Sequence, residues 1–285
     1  MKIAGGTFII TGGLGSIGLS VASLLVVRGA KIALFDIADE VQAREKVSKL
    51  SGSSQVLYFQ VDISNSAQTK LAVEKVVLEL GDLKGCVHCA GVAIKRKWTN
   101  DVADSIPDFE KMWNINTLGT FVVNAHVADA INKPFNHPEG RNAAAPFWST
   151  NEERGVIINF SSAAAHGLYA RTLCYGATKV AVAGITRALA DFLGPSGIRV
   201  NSISPSIVMS AMTQNFAGYF LDDLKAHAAF PQVPVPPEEI AKTVEFIIER
   251  SWINGEDIRV DGGWRLVTNR NPREEDPRAS APGLE

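Results

Sequence analysis

Tyr175 and Lys179 stand four residues apart in an alanine-rich stretch, a spacing that puts both side chains on one face of a helix. A free phenol, with a pKa of about 10, is a poor base near neutrality. A neighbouring ammonium favours the phenolate and brings that pKa toward the working range. Ser162 precedes Tyr175 by thirteen residues, just after the apolar run GVIINF, where its hydroxyl is available to a reacting oxygen. Together the three would move a proton on and off an alcohol oxygen. On spacing alone the signal is weak: a Tyr–Lys pair is usually a surface feature, and Ser-Ser after a strand is usually a turn.

A second constellation lies near the N-terminus. Residues 11–18 read T-G-G-L-G-S-I-G, so Gly13, Gly15 and Gly18 spell G-x-G-x-x-G between a strand-like and a helix-like segment, the context this motif requires. The glycines permit a sharp turn and the close approach of a pyrophosphate. The helix start then offers unpaired N–H groups to the phosphates. Asp36 ends the second apolar run, 21 residues after Gly15, where a carboxylate accepts hydrogen bonds from both ribose hydroxyls. The same carboxylate repels a 2′-phosphate, and neither the glycine loop nor Ile37, Ala38 and Asp39 supplies a cation. The reading is NAD in preference to NADP.

These residues need a scaffold, and the chain alternates short apolar runs with helix-length segments. The strand candidates are Thr7–Thr11, Ile32–Asp36, Val56–Val61, Cys86–Ala90, Val156–Phe160, Val200–Ile203 and Asp257–Val260. Ser16–Arg28, Ser66–Leu80 and Tyr175–Leu193 are amphipathic. Such alternation, with strands apolar throughout, implies an α/β protein with a parallel sheet covered on both faces. No repeat or linker divides it, so residues 1–267 are expected to form a single domain. Asn132–Arg154, rich in Pro and Ala, reads as an inserted loop, Pro205–Pro237 as a lid, and residues 268–285 as a flexible tail.

The composition is that of a globular protein, with 285 residues, 46% hydrophobic and 20% charged. The net charge of −2 gives no basic field for a nucleic acid. No apolar stretch is long enough to span a membrane, and the N-terminus has no secretory pattern. Three cysteines suit a reducing compartment. A cytoplasmic protein is expected, with mitochondrial import left open. Cys86 and Cys89 form C-x-x-C, but residues three apart on a strand point to opposite faces, so no redox or metal pair is expected.

In combination these motifs are specific. Residues 3 to 265 resemble the short-chain dehydrogenase/reductase family, through residues 11–18, Asp36, Val61-Asp62-Ile63, Ala90-Gly91, Asn114-Ile115-Asn116, Ser162, Tyr175-x-x-x-Lys179, Asn201 through Pro205, and Val260-Asp261-Gly262-Gly263. The resemblance implies a doubly wound Rossmann fold of about seven parallel strands. It makes Tyr175 the general acid/base and gives Lys179 the nicotinamide ribose and the tuning of Tyr175. Ser162 would hold the substrate oxygen, and Asn116 would support a water chain to Lys179. The cofactor would lie against Gly12, Gly13, Gly15, Ser16, Ile17 and Gly18, then Asp36, Ile37, Asp62 and Ile63. Beyond these it would meet Ala90, Gly91, Tyr175, Lys179, Pro205 and Ile207. Departures from the family pattern are Ser16 in place of glycine, His88-Cys89 in place of Asn-Asn, and Ser206 in place of glycine. His88 is expected against the adenosine half in a structural role. Family members are commonly tetramers, so a homo-oligomer, tetramer or dimer, is expected.

Within the family, the stretches RGVIIN, GIRV and WINGEDIRVDGG make the chain most similar to type-2 3-hydroxyacyl-CoA dehydrogenases, which also oxidise hydroxysteroids. The lid is apolar and Met-containing, which suits a small lipophilic or acyl-CoA substrate held by Ser162, His166, Tyr169, Met209, Met212 and Phe216. Lys95-Arg96-Lys97 would receive CoA phosphates, although three adjacent cations more often form a solvated turn. Two alternatives stand beside this reading. One is a ketoreductase of fungal specialised metabolism, suggested by the insertion; the other is a non-redox cofactor-binding protein or cyclase on the same fold.

Overall fold

The structure, a computed structural model, describes residues 1–50, 52–94, 101–135, 150–167, 172–210, 213 and 217–264. The Lys95–Lys97 cluster, most of the insertion and the tail lie outside them. The strands are β1 (Thr7–Thr11), β2 (Lys31–Asp36), β3 (Val56–Gln60), β4 (Leu83–His88), β5 (Gly155–Phe160), β6 (Ile198–Pro205) and β7 (Asp257–Val260). They form one parallel sheet in the order β3-β2-β1-β4-β5-β6-β7. All seven expected strands are present. The order reverses direction between β1 and β4, which opens a crevice at their C-terminal ends.

Alternation along the strands divides the core in two. Phe8, Ile10, Val87, Ile158 and Ile203 pack on one face against α1 (Ser16–Val27) and the C-terminal helix Pro237–Glu249. Ile9, Cys86, Ile157 and Val200 pack on the other, against α3 (Ser66–Leu80), α5 (Gly119–Asn132) and α6 (Leu173–Leu193). Each fully buried Ile or Phe contributes about 1.5–3 kcal/mol, so strands apolar on both faces are held from both sides. Cys86 belongs to the second core while Cys89 packs against the first, and both thiols are free. The two side chains pack into different cores, with Cys89 one residue past the end of β4.

Local sequence explains the helix ends that matter to the crevice. Helix α1 starts after Gly15 with no side-chain cap, so its first-turn N–H groups remain for a ligand. Asp39 caps α2 (Glu40–Val47) through the Gln42 N–H, and Asn65 caps α3 through that of Gln68. Between α4 (Ile106–Met112) and α5 the helix widens into a π-turn over Trp113–Leu118, with Asn116 inside it. Such turns cluster at functional sites. Over the substrate end, α7 (Ala217–His227) is fastened by the Trp264 indole N–H, which donates to the buried Asp223 carboxylate at 2.8 Å. Leu224, Ala228, Ile207 and Trp264 form a small apolar core beneath it. Among the described residues no helix is long and apolar enough to cross a membrane.

Candidate active site

The crevice is a cleft of about 690 Å³. Its floor is the glycine loop, where backbones meet too closely for side chains. A Cβ on Gly12, whose φ is +59°, would lie 2.9 Å from the Ala90 backbone, and one on Gly18 would lie 2.4 Å from the Gly12 carbonyl. Ser16 and Ile17 line the cleft beside them, whereas Gly13 packs downward against Ile10 and Leu34. This bare cradle at an uncapped helix start fits a dinucleotide pyrophosphate.

At one end of the cleft, Asp36 accepts the Leu14 N–H at 3.0 Å and the Ala38 N–H at 3.3 Å. A carboxylate has about four acceptor positions, so two remain for a ribose. The β2–α2 turn beside it is pinned from β3, where Gln60 donates to the Ile37 carbonyl at 3.1 Å and Tyr58 donates to that of Ala38. Burial and the nearby Asp36, Asp39 and Glu40 carboxylates push the Tyr58 hydroxyl up to about 12, so it stays a donor. Asp62 accepts the Ser64 N–H and hydroxyl at 2.9 and 2.7 Å, and its own N–H donates to Gln68. Lys46 on α2 reaches the Leu14 carbonyl at 2.9 Å and lines the cleft. The glycine loop and β2 turn bring no cation, but α2 does.

Tyr175 and Ser162 both line the other end of the cleft, near enough for the serine hydroxyl to act on the phenol. Ser162 also accepts the Ala164 N–H at 3.1 Å, which fixes its rotamer. Lys179 is buried behind them. Its Nζ donates to the Phe160 carbonyl at 2.8 Å and lies 5.6 Å from the Tyr175 ring centroid. Gly91 leaves the space beside it open, because a Cβ there would sit 3.4 Å from that Nζ. Burial pulls the Lys179 ammonium down to about 8. Tyr175 moves the opposite way from the spacing argument: burial raises its hydroxyl above the ordinary value, and the Ser162 hydrogen bond opposes this only in part. Desolvation is the dominant cause here.

Asn116 is wholly buried. Its Oδ1 accepts the Val92 N–H at 2.8 Å, and its Nδ2 donates to the Val92 carbonyl at 2.9 Å. It stands behind the cleft wall with Lys179. Asp36, Ile37, Asp62, Ile63, Ala90, Gly91, Ser162, Tyr175 and Pro205 all line the cleft. Ile207 is buried under the lid, and Met209 is exposed. The His166 ring turns to β7, with Nε2 2.8 Å from Asp257 and 3.2 Å from Ser204. Tyr169, Met212 and Phe216 lie outside the described residues. Lys46 went unnoticed in the sequence because its reach is tertiary.

His88 is buried and is not among the residues that line the cleft. It sits on the sheet face that carries Cys86 and Asn159, with Nδ1 2.8 Å from the Thr11 hydroxyl and Nε2 buried without a partner. Burial, and secondarily the Lys179 charge, depress it to about 3. It is neutral at any working pH and shuttles no proton. The unfolded chain binds a proton below about 6.5 that the folded chain refuses. Stability therefore falls as pH drops from about 6.5 toward 3, by about 2 kcal/mol at pH 5. His88→Asn is expected to shrink the drop in Tm between pH 7.5 and pH 5 by several degrees; an unchanged pH dependence would remove His88 as its source.

A family model for short chain dehydrogenases matches residues 6–218. The chain belongs to that family. Human 3-hydroxyacyl-CoA dehydrogenase type-2 is 32% identical over 271 residues, covering 93% of this chain and 97% of its own. Ipsdienol dehydrogenase of Ips pini is 29% identical over 274 residues, covering 93% and 99%. The crystal structure of 3-hydroxyacyl-CoA dehydrogenase type-2 from Mycobacterium avium superposes with a TM-score of 0.77 at 26% identity, covering 92% of this chain and 97% of that one. This short-chain dehydrogenase is thus an oxidoreductase acting on CH–OH groups, of a family that binds nicotinamide cofactors.

Proposed function

We propose that the protein interconverts a lipophilic secondary alcohol and its ketone with NAD(H), and that Tyr175 is the general acid/base. The observation that carries this reading is that Tyr175 and Ser162 line one end of the same cleft as the glycine cradle, with Lys179 Nζ 5.6 Å from the Tyr175 ring centroid. The nicotinamide, when bound, accepts or supplies the hydride. Ser162 holds the substrate oxygen against the Tyr175 hydroxyl. In reduction Tyr175 delivers its proton to that oxygen as the C–H bond forms, and in oxidation it takes the proton back. Lys179, charged below about pH 8, binds the ribose and favours the phenolate once Tyr175 has given up its proton. Asn116 braces the wall behind both.

The apolar lid core of Ile207, Leu224 and Trp264, with Val208 lining the cleft, favours an acyl or hydrocarbon chain over a sugar. We take 3-hydroxyacyl-CoA-like or hydroxysteroid-like compounds as the substrate class. Leu118, Phe121 and Val180, exposed at 40–48%, favour a homo-oligomer that covers them.

The reading is tested with NADH deuterated at the transferable position and acetoacetyl-CoA. Deuterium at C3 of the product is the expected result. Confirmed NADH binding with no deuterium transfer to acetoacetyl-CoA or to a panel of lipophilic ketones would overturn it. Asp36 carries the cofactor preference. Asp36→Ala is expected to weaken NADH binding about 10–100-fold, the worth of charge-assisted hydrogen bonds, and to tighten NADPH binding. Fluorescence titration of both cofactors decides, and unchanged affinities would mean that Asp36 does not meet the ribose.

A further inference from the structure

Beneath the cleft runs a buried chain of hydroxyls and amides, of which the chemistry above uses only Asn116. Thr178 is wholly buried. Its hydroxyl donates to the Tyr175 carbonyl at 2.7 Å and accepts the Asn116 Nδ2 at 3.1 Å. The amide orientation of Asn116 is not arbitrary, because its other contacts to Val92 fix which end carries the N–H groups. The Asn116 carbonyl accepts the Thr120 hydroxyl, and Asn124 donates to the Thr120 carbonyl. Asn124 also donates to Asn159 Oδ1 at 2.9 Å, and Asn159 Nδ2 donates to the Thr186 hydroxyl at 3.1 Å. The chain therefore leaves α6 at Thr178, crosses the π-turn, α5 and β5, and returns to α6 at Thr186. The two anchors are eight residues apart, about 12 Å along the helix axis.

We propose that Thr178 is a positioning residue for Tyr175, and that this buried chain sets the axial and rotational register of α6. The proposal rests on the reading of Tyr175 as the proton donor. Tyr175 is the third residue of α6, and no side-chain cap closes that helix start. A first turn without a cap frays most easily. The Thr178 hydroxyl, bonded to the Tyr175 carbonyl at 2.7 Å, adds a side-chain contact across this turn. The Asn116 amide then ties it to Val92, next to Gly91 on the cleft wall. A slide or twist of α6 would break hydrogen bonds that have no water to replace them. The phenol of Tyr175 is thereby held against Ser162 from below.

The test compares Thr178→Val, Thr178→Ala, Thr178→Ser and Tyr175→Phe in the full chain. The readouts are acetoacetyl-CoA reduction and NMR of protein labelled at tyrosine Cζ. There are four tyrosines, and the Tyr175 signal is the one lost in Tyr175→Phe. Thr178→Val is expected to lower kcat about 10–100-fold, the scale of a small misplacement of a reacting group. NADH affinity should stay within about twofold. The Tyr175 titration midpoint should move while those of the other tyrosines stay, and Thr178→Ser should restore both. If Thr178→Val does not fold, the comparison of Thr178→Ala with Thr178→Ser carries the same expectation. A Tyr175 midpoint identical in wild type, Val and Ala variants overturns the role of Thr178, even where acetoacetyl-CoA is not turned over. Full turnover by Tyr175→Phe overturns the role of Tyr175 and this one with it. Loss in Tyr175→Phe without loss in the folded Thr178 variants overturns only this one.

Discussion

Tyr175→Phe is expected to lower turnover about 10²- to 10⁴-fold, the usual worth of a positioned acid or base, with NADH affinity nearly unchanged. The ring stays and only the hydroxyl is lost, so packing on α6 survives. The raised hydroxyl gives the effect a direction with pH. Near neutrality the free site holds a protonated phenol, ready to donate in ketone reduction. Alcohol oxidation needs the phenolate, so its rate should climb with pH while reduction stays flat until the phenol begins to ionise. Stopped-flow turnover in both directions from pH 6 to 10 checks this. A variant that keeps more than a tenth of wild-type kcat in both directions would place the proton transfer elsewhere.

Lys179→Met should separate activity from stability. Loss of the charge that meets the ribose is expected to cost about 10–100-fold in kcat/KM. Folding responds in the opposite sense. The ammonium is buried, with the Phe160 carbonyl as a hydrogen-bond acceptor, and is depressed from 10.5 to about 8. Below about pH 8 both folded and unfolded chains carry the proton, and the full cost of burying it, up to about 3 kcal/mol, is present. Between about 8 and 10.5 the unfolded chain alone keeps the proton, so wild-type stability rises with pH. A methionine of similar length carries no such cost. The variant should melt at an equal or higher temperature at pH 7 and lack the alkaline rise. Calorimetry at pH 7 and pH 9.5 decides, and a variant melting well below wild type at pH 7 would show that the lysine stabilises the fold.

The sequence was most legible where local rules govern. Ile9, Ile32, Val87 and Ile157 sit in short apolar runs, and such runs marked all seven strands. Asn65 before Ser66 and Leu80 before Gly81 mark the ends of α3 as found. Strand ends were less visible where charge intrudes. Strand β6 begins at Ile198 and includes Arg199, a buried cation made tolerable by Glu153 at 2.7 Å, a partner 46 positions away. Strand β4 starts at Leu83, through Lys84, ahead of the Cys86 at which the expected strand began.

Within the site, the glycine loop, Asp36, Ser162 and Tyr175 could be named from spacing and family likeness. The Tyr175 shift could not, because desolvation belongs to the folded cleft and not to an i, i+4 pair. The same holds for His166, whose nearest acid, Asp257, is 91 positions away, and for Lys46, which lies on an exposed polar helix.

The π-turn at Trp113–Leu118 also constrains how this chain tolerates length changes. It is one residue more than an α-helix needs over the same rise. Deleting Thr117 would let the segment relax into an unbroken α-helix, a change that is locally favourable and keeps every strand intact. It would also erase the wide turn that carries Asn116, and with it the hold of Asn116 on Val92 and Thr178. A single-codon loss could thus leave a well-folded protein with a disordered catalytic wall, so that the surplus residue is a frame marker the helix cannot give up.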